Sequence, residues 1–595
     1  MKRLHLLCTL LCFLSVSGVD GKMTSGHDDA RQARGRKERH GKQSPEKTVY
    51  LQDYLDLDPS SSEDAAMAIG KAVDECRKSG AERLVLPGGT LNIMPDRASE
   101  RYEYISNNDP SMKRIAFLLD GIENLTIEGN GTLLMLSGFV SAFSLDACRN
   151  ITVRDLSIDY SHPFVAEGEV AAAGEGWFEF RFPDKAGAVL DGGVLCFRDS
   201  RGREYPYLTL LEFDSRRREV AWHAHDYWLG GRCRAEKTED GNYRIDRGDF
   251  GEAVPGNIMV FGAAARLHPA FTLLDCSGFL LENVNIWSCC GMGVIAQCSR
   301  DIELRNVKVE PSPGSGRMIS ASADATHFVN CKGYIRMIDC VFRNQKDDAT
   351  NIHGLYMAVE RVIAPDRLLL KWRNSGQYGV RFIKPGMSME LVDNETMMSY
   401  AGIKVKSVEY LNSEYAEVEF TAPLPGNVKE NHVVAEDDGY PDVLISGCYI
   451  GNNRARGLLL GSRGRTVVEK CTFHTPGAAI LLEGDGNYWY EQSGVRDLLI
   501  RDNVFDSCMY GNKSWGSACI AVGSGIPSRE SSRYHRNVTV ENNTFITIDN
   551  RIVNLYCVDG FIYRGNEVRE SSDYPVCGSA SDRIIINDCS NVEID

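Results

Sequence analysis

NITVRDLSI from Asn150, FLLENVNI from Phe279, DIELRNVKV from Asp301, YIRMIDCVF from Tyr334, DVLISGCYI from Asp442, TVVEKCTF from Thr466, DLLIRDNVF from Asp497 and NVTVENNTF from Asn537 repeat one pattern. Apolar residues alternate, a polar residue or glycine suited to a tight bend follows, and another apolar residue comes after it. NLTIEGNGTL from Asn124 precedes the series, and FIYRGNEV from Phe561 and NVEI from Asn591 close it. Asn283 and Asn306 stand 23 residues apart, as do Cys448 and Cys471, and Asn543 and Asn566. A unit this short cannot bury its own apolar face and must stack on its neighbours. The spacing therefore predicts an all-β chain, a right-handed parallel β-helix. A second strand family lies between the recurrences: GVIAQC at 293, DATHFVNC at 324, DATNIHG at 348, RGLLLGS at 456, AAILLEG at 478 and SACIAVGS at 517. Each coil should thus contribute to at least two sheets.

Working outward, Ser60 to Glu63 offers a capping box, and Ile69, Ala72, Val73 and Cys76 fall on one face of the helix it would start. Such a short N-terminal helix would cover the open end of the coil, whose strands are otherwise exposed edges. Two segments lose the repeat. Residues 164–264 and 355–438 carry strands of another rhythm, such as WFEFRF at 177, LLLKW at 368 and AEVEF at 416. They read as two inserted antiparallel, barrel-like β domains. The helix proper is then divided into residues 49–163, 265–354 and 439–595.

The composition of the 595 residues suits a folded chain, with 43% hydrophobic and 25% charged residues. Lys and Arg number 66 against 82 Asp and Glu, and the net charge of −16 would repel a phosphate backbone. No nucleic-acid partner is expected. Met1-Lys2-Arg3, the apolar run from Leu4 to Val16 and the small residues after it have the layout of a secretory signal peptide over 1–18. Residues 19–48 read as a polar, flexible leader. No membrane span is expected, and the chain should be exported to the periplasm or cell surface. Leu11 before Cys12 argues against a lipid anchor. Of 19 cysteines, two lie in the signal segment, which leaves an odd number; Cys276, Cys298, Cys331, Cys340, Cys448, Cys471 and Cys519 sit inside or beside apolar strand patterns as small buried hydrophobes rather than as a disulfide framework. With no CxxC pair and no HExxH, a zinc site is not expected.

The chemistry should sit where coils stack. Asp324-Ala325-Thr326 and Asp348-Ala349-Thr350 are near copies 24 residues apart, about one turn, so Asp324 should lie over Asp348, with Asp347 beside them. Like charges stacked on a sheet raise one another's pKa and serve no stabilising purpose. Carboxyls with separated pKa values can divide into general acid and general base, as glycoside hydrolysis requires. The residues alone leave two other readings open: aspartates that cap turns or sit solvated at strand ends, and a calcium site made by the same carboxylates.

IWSCCGMGVIAQ from 286, SADATHF from 322 and NQKDDATNIHG from 344, on an exported β-helix with two β insertions, resemble glycoside hydrolase family 110. These are the exo-acting α-1,3-galactosidases of gut Bacteroides and marine bacteria. The resemblance covers nearly all of the mature chain. It implies release of terminal α-1,3-linked galactose, as from blood group B glycans, with inversion, no cofactor and a homodimer. On matching positions it makes Asp347 the general acid, while Asp324 and Asp348 hold and deprotonate the attacking water. Inversion requires about 6.5 to 9.5 Å between acid and base, so the reading needs a bend at Lys346 to Asp348 that turns Asp347 away from its neighbour.

Around the carboxylates, His327, Lys346, Asn351 and His353 are candidates for hydrogen bonds to a sugar, set against an ordinary packing role for the histidines. Trp287 and Trp515 are candidate sugar platforms or wall packing, and Tyr488-Trp489-Tyr490 a rim. Glu483 and Asp485, over one hundred residues beyond Asp348, read as several coils away and suited only to a distal sugar. Competing readings are a polygalacturonase-like hydrolase, whose GHG and RxK signatures are only partly matched by Ile352-His353-Gly354, and a non-catalytic carbohydrate-binding β-helix.

Overall fold

The computed structural model of the chain describes residues 47–55, 64–578 and 583–595. The signal segment, almost all of the leader and the Ser60–Glu63 box lie outside the described residues. Residues 46–595 form one compact unit.

The repeat winds as a parallel β-helix. Its back is a 21-stranded sheet and its front a 13-stranded sheet, and strands of successive coils pair in parallel register. On the back, each later coil supplies two short strands with a bend between them, as in Asp442–Ser446 and Tyr449–Gly451. Gly447 takes that bend at φ 68°, and Asn283, Asn306 and Asp339 take equivalent bends at φ 53°, 49° and 54°. Asn and Asp tolerate the left-handed region better than other non-glycine residues, which is why the repeat is punctuated by N, D or G.

The 23-residue spacing has a direct cause in stacking. Asn306 donates to Asn283 Oδ1 at 2.8 Å, and Asn503, Asn543 and Asn566 form a ladder in which each backbone N–H is accepted by the next side chain at 2.9–3.0 Å. Inside the coil Phe473, Phe505 and Phe545 stack at 4.9 and 4.6 Å. The seventeen described cysteines are all free, and Cys340, Cys448 and Cys471 are buried along one interior row, as their place in the apolar pattern required.

Helix α1 (Ala66–Ser79) buries Ile69, Ala72, Val73 and Cys76 against the first coils. Asp64, just before the N-cap residue Ala65, accepts through Oδ1 from Ala66 N and Met94 N at 2.9 Å each. It therefore ties the helix start to the strand it covers.

The insertions leave the coil without interrupting it. Arg149–Tyr160 pairs directly with Ser277–Ile286 across the first insertion. Thr350–Leu355 likewise pairs with Leu458–Leu460 across the second. The first insertion is an eight-stranded antiparallel sheet whose strands run within residues 166–263, plus a hairpin of Ala188–Asp191 and Val194–Phe197. Phe178, Phe180, Phe197 and Phe261 fill its core. The second closes six strands, from Met357–Ala364 to Val433–Glu436, into a barrel around Leu368, Leu370, Trp372 and Val418.

Candidate active site

The front sheet sets the site. Thr326–Val329 pairs in parallel with Thr350–Leu355, Thr326 opposite Thr350 and His327 opposite Asn351. Asp324 and Asp348 therefore hold equivalent positions two residues upstream, and Ala325 N donates to Asp348 O at 3.0 Å. The chain bends at Lys346 and Asp347, and this bend swings Asp347 toward the same cleft. One carboxylate oxygen from each of Asp324, Asp347 and Asp348 lies within 4.8 Å of the other two. That is closer than the 6.5 to 9.5 Å the inverting reading requires. Asp347 joins its neighbours rather than facing them across a wide gap.

Three arginines make this cluster tolerable. Asp347 is bonded by Arg266 and by Arg454 Nη1 at 3.0 Å, and Arg454 also grips Asp226 of the first insertion at 2.7 Å. Asp348 is held by Arg456 through Nε at 3.0 Å, Nη2 at 2.9 Å and the backbone N–H at 3.1 Å. The two carboxyls are thereby driven apart. Burial pushes Asp347 up, but Arg454 and Arg266, with Arg456, more than offset it and hold it below the usual carboxylate range. Burial raises Asp348 to about 8, against Arg456 and with help from the charges of Asp347 and Asp324. The positive charge that a calcium ion would bring is supplied here by guanidinium groups.

Asp324 is held from behind. Its Oδ2 meets His327 Nδ1 at 2.6 Å, His327 Nε2 meets His353 Nε2 at 2.9 Å, and His353 Nδ1 meets Gly354 O at 2.7 Å. Burial lowers His353, with Glu491 acting against it. Glu491 lies 3.6 Å from His353 Nε2 and is fixed by Asn107 Nδ2 at 3.0 Å and Asn351 Nδ2 at 3.2 Å. Burial works against its charge, but the two histidines and two amides keep Glu491 below its usual range.

The cluster forms the floor of a cleft of about 740 Å³. Thr209, Asp226 to Trp228 and Gly262 to Ala263 come from the first insertion, Asn374 to Gly376 and Tyr378 from the second, and Trp489 from the coil. Lys346 lies along the first of these walls. A Cβ on Gly262 would stand 2.3 Å from Thr209 Oγ1 and 2.9 Å from Lys346 Cε, so a larger residue there would push both side chains aside. Burial lowers Lys346 to about 8, opposed in part by Asp226.

Of the sequence candidates, Asp324, Asp347, Asp348, His327, Lys346 and Asn351 line the cleft. His353 lies behind His327 and off the cleft surface. Trp287 is not on the cleft; its backbone N–H bonds Ile158 O on the back-sheet side. Trp515 is buried behind Arg454, 5.6 Å from its guanidinium, and faces a neighbouring groove. Neither indole is positioned as a platform for a sugar at the carboxylates, because both belong to turns whose direction the strand pattern leaves open. Tyr488 and Trp489 are exposed on the loop that Asp485 fixes by accepting their backbone N–H groups. Glu483 is nearer than sequence distance suggests. Its strand Ile480–Leu482 is only two pairings from Thr350–Leu355, since the barrel accounts for most of the intervening residues. Glu483 lines the cleft 3.6 Å from Arg456. Arg266, Arg454, Arg456, Asp226, Asn107 and Glu491 carry no signal in the sequence, although Arg456 stands two residues before the front-sheet strand Leu458–Leu460.

Residues 166–259 match GLAA-B beta-barrel domain I, 367–434 match GLAA-B beta-barrel domain II, and 427–589 match the right handed beta helix region. Alpha-1,3-galactosidase A of Shewanella woodyi is 33% identical over 92% of this chain and 90% of its own length. Alpha-1,3-galactosidase B of Bacteroides thetaiotaomicron is 30% identical over the same shares of the two chains. Among solved structures, the endo-xylogalacturonan hydrolase of Aspergillus tubingensis matches 91% of this chain and 95% of its own at TM-score 0.39 and 10% identity, a likeness that bears on neither substrate nor mechanism. The two β insertions and the full-length identity together establish that the chain belongs to the α-1,3-galactosidase family of glycoside hydrolases, family 110.

Proposed function

We propose that this chain is an exo-acting α-1,3-galactosidase that hydrolyses terminal α-1,3-linked galactose from glycans such as the blood group B determinant, with inversion. The observation that carries the reading is the meeting of Asp324, Asp347 and Asp348 on the floor of one cleft. Walls from both insertions make that cleft a place for a chain end rather than an open furrow, which supports exo action. In this mechanism Asp347 gives its proton to the glycosidic oxygen as the C–O bond breaks. Asp324 and Asp348 orient a water and take its proton as it attacks the anomeric carbon. His327 occupies Asp324 Oδ2, leaving Oδ1 for the water. The signal peptide over 1–18 directs export in this reading, and activity in a periplasmic or surface fraction checks that part.

A second assignment is favoured by the electrostatics of the resting protein. Asp348, pushed up, holds the cluster's proton, while Asp347, gripped by two arginines, is ionised. The acid would then be Asp348. Galactosides with poor and with activated leaving groups separate the two. If Asp347 is the acid, Asp347→Asn loses most turnover on the poor leaving group and much less on the activated one, and Asp348→Asn slows both alike. The reverse pattern assigns the acid to Asp348. The anomer of the first galactose released, read by NMR, tests inversion; the close spacing of the carboxyls makes retention the outcome to watch for.

A further inference from the structure

A second groove of about 610 Å³ adjoins the catalytic cleft, and Arg456 and Glu483 belong to the walls of both. The register of the front sheet joins their floors. Asn351 is opposite Leu459, Leu459 opposite Leu481, Leu481 opposite Ala521, and Ala521 opposite Asn554. Alternate residues of a strand share a face, so this row points outward along its whole length. Asn351 and Leu459 line the cleft, and Leu481 and Asn554 line the groove. Four coil steps at about 4.8 Å make a track of about 19 Å leading away from the carboxylates. Each step is close to the length of one hexose unit.

The groove differs from the cleft in charge. Lys513, Arg529 and Arg551 line it, and Glu483, at the junction, is its one acidic wall residue. The charge of Arg551 is met by Asp549, at 2.9 Å through Nε. Lys513 and Arg529 make no ion pair among the described residues, and Arg529 is held 3.7 Å over the ring of Tyr556. Lys513 and Arg529 are both exposed, so in a chain of net charge −16 they stand free to meet an anionic group from solvent beside an apolar and amide floor.

We propose that this groove binds the reducing-side continuation of the glycan and that Lys513 and Arg529 recognise an anionic group on it, a sulfate ester or a carboxylate. The proposal rests on the galactosidase reading for its orientation, and on the groove alone for its ligand. The track starts at Asn351 beside the carboxylates, so a substrate with its terminal galactose in the cleft has its aglycone directed toward these cations.

The test compares α-1,3-galactosyl disaccharide with neutral, sulfated and uronate-bearing tetrasaccharides that share the same terminal linkage. Each anionic tetrasaccharide should have a KM at least several-fold below that of the neutral one at similar kcat. Lys513→Gln/Arg529→Gln should abolish that difference and leave the disaccharide unchanged. A preference confined to the sulfated or to the uronate arm identifies the group. Equal KM for charged and neutral tetrasaccharides, or an equal loss on the disaccharide, overturns the proposal. Calorimetry with a galactose-free uronate or sulfated oligosaccharide needs no turnover. Binding that the double variant loses upholds the groove even if the galactosidase reading fails, whereas binding by neither protein rejects it.

Discussion

On the back sheet, Glu282 lies opposite Arg305 one coil on, Glu128 opposite Arg154, Glu469 opposite Arg501 and Glu541 opposite Arg564, and each pair is hydrogen-bonded at 2.6–2.9 Å. On the front sheet, the same ladder sets Asp324 over Asp348, with Asp347 alongside. Register does both, since a parallel coil brings each residue under its counterpart whatever its charge. The back sheet follows the cross-strand rule that opposite charges attract and like charges repel. The front sheet breaks it, and the compensating charge comes from outside the ladder: Arg266 just past the first insertion, and Arg454 and Arg456 on the turn after the second. In the proposed mechanism this like-charge stack is the chemical device. The back-sheet pairs are solubility and register.

The comparison is broken most severely at Asp324. Asp324→Asn should lower turnover by about 10²- to 10⁴-fold, the usual worth of a general acid–base group. Its stability to urea should not fall in step, because Asn keeps the volume and the loss of the buried contact to His327 is offset by relief of one of three clustered like charges. Activity and stability falling together in proportion would make Asp324 a structural residue and return the site to the reading of a capped turn.

Arg456 gives the next effect. Removing one partner of a buried ion pair leaves an uncompensated charge and costs about 3–5 kcal/mol. Arg456→Met should therefore destabilise the chain toward that scale in urea melts above about pH 8, where it strands an ionised Asp348, and by less at lower pH. Adding Asp348→Asn should recover most of the loss. A double variant no more stable than Arg456→Met would mean that the arginine acts through packing of its stem rather than through its charge.

Legibility in the sequence followed the same division. The coil was readable because each turn repeats the alternation, and asparagine ladders and stacked phenylalanines align successive coils even where the step lengthens beyond 23 residues. The Asp324–Asp348 stack was readable because its motif is duplicated at one turn's spacing. The guanidiniums were not. Arg266, Arg454 and Arg456 sit on irregular segments flanking insertions, where no periodicity says which way a side chain points. Glu483 was misjudged as distant because the residues of the barrel were counted as coils. Glu491 enters by an antiparallel pairing of Glu491 and Gln492 with Leu355 and Gly354 at the barrel's entrance, a contact no repeat anticipates. The aromatic candidates divide: Trp287 lies off the cleft, whereas Trp515 lines the neighbouring groove rather than the carboxylate cleft.

A pH series sharpens the comparison at smaller scale. The folded pKa of Asp348 is raised to about 8, above the value of about 3.9 for an unfolded aspartate. Between these values the folded state binds more protons than the unfolded state, so stability falls as pH rises from about 4 toward 8. Asp348→Asn removes the titrating group and should flatten this decline. A variant whose urea midpoint keeps the full slope between pH 5 and 8 would assign the decline to other groups.

The smallest effect should come from the back sheet. Arg305 pairs with Glu282 and Glu303, but its side chain is 47% exposed. Exposed pairs contribute about 0 to 1 kcal/mol and are screened by salt. Arg305→Gln should therefore cost under about 1 kcal/mol in dilute buffer and less at about 1 M salt, where the Debye length is near 3 Å. Arg456→Met should keep most of its cost at the same salt, because water and counter-ions have little access to Asp348, which is 3% exposed. The contrast in salt response is the informative quantity. If both variants lost their cost in parallel, the front-sheet arginine would be acting as a surface charge, and the distinction between a ladder built for register and one built for chemistry would fail.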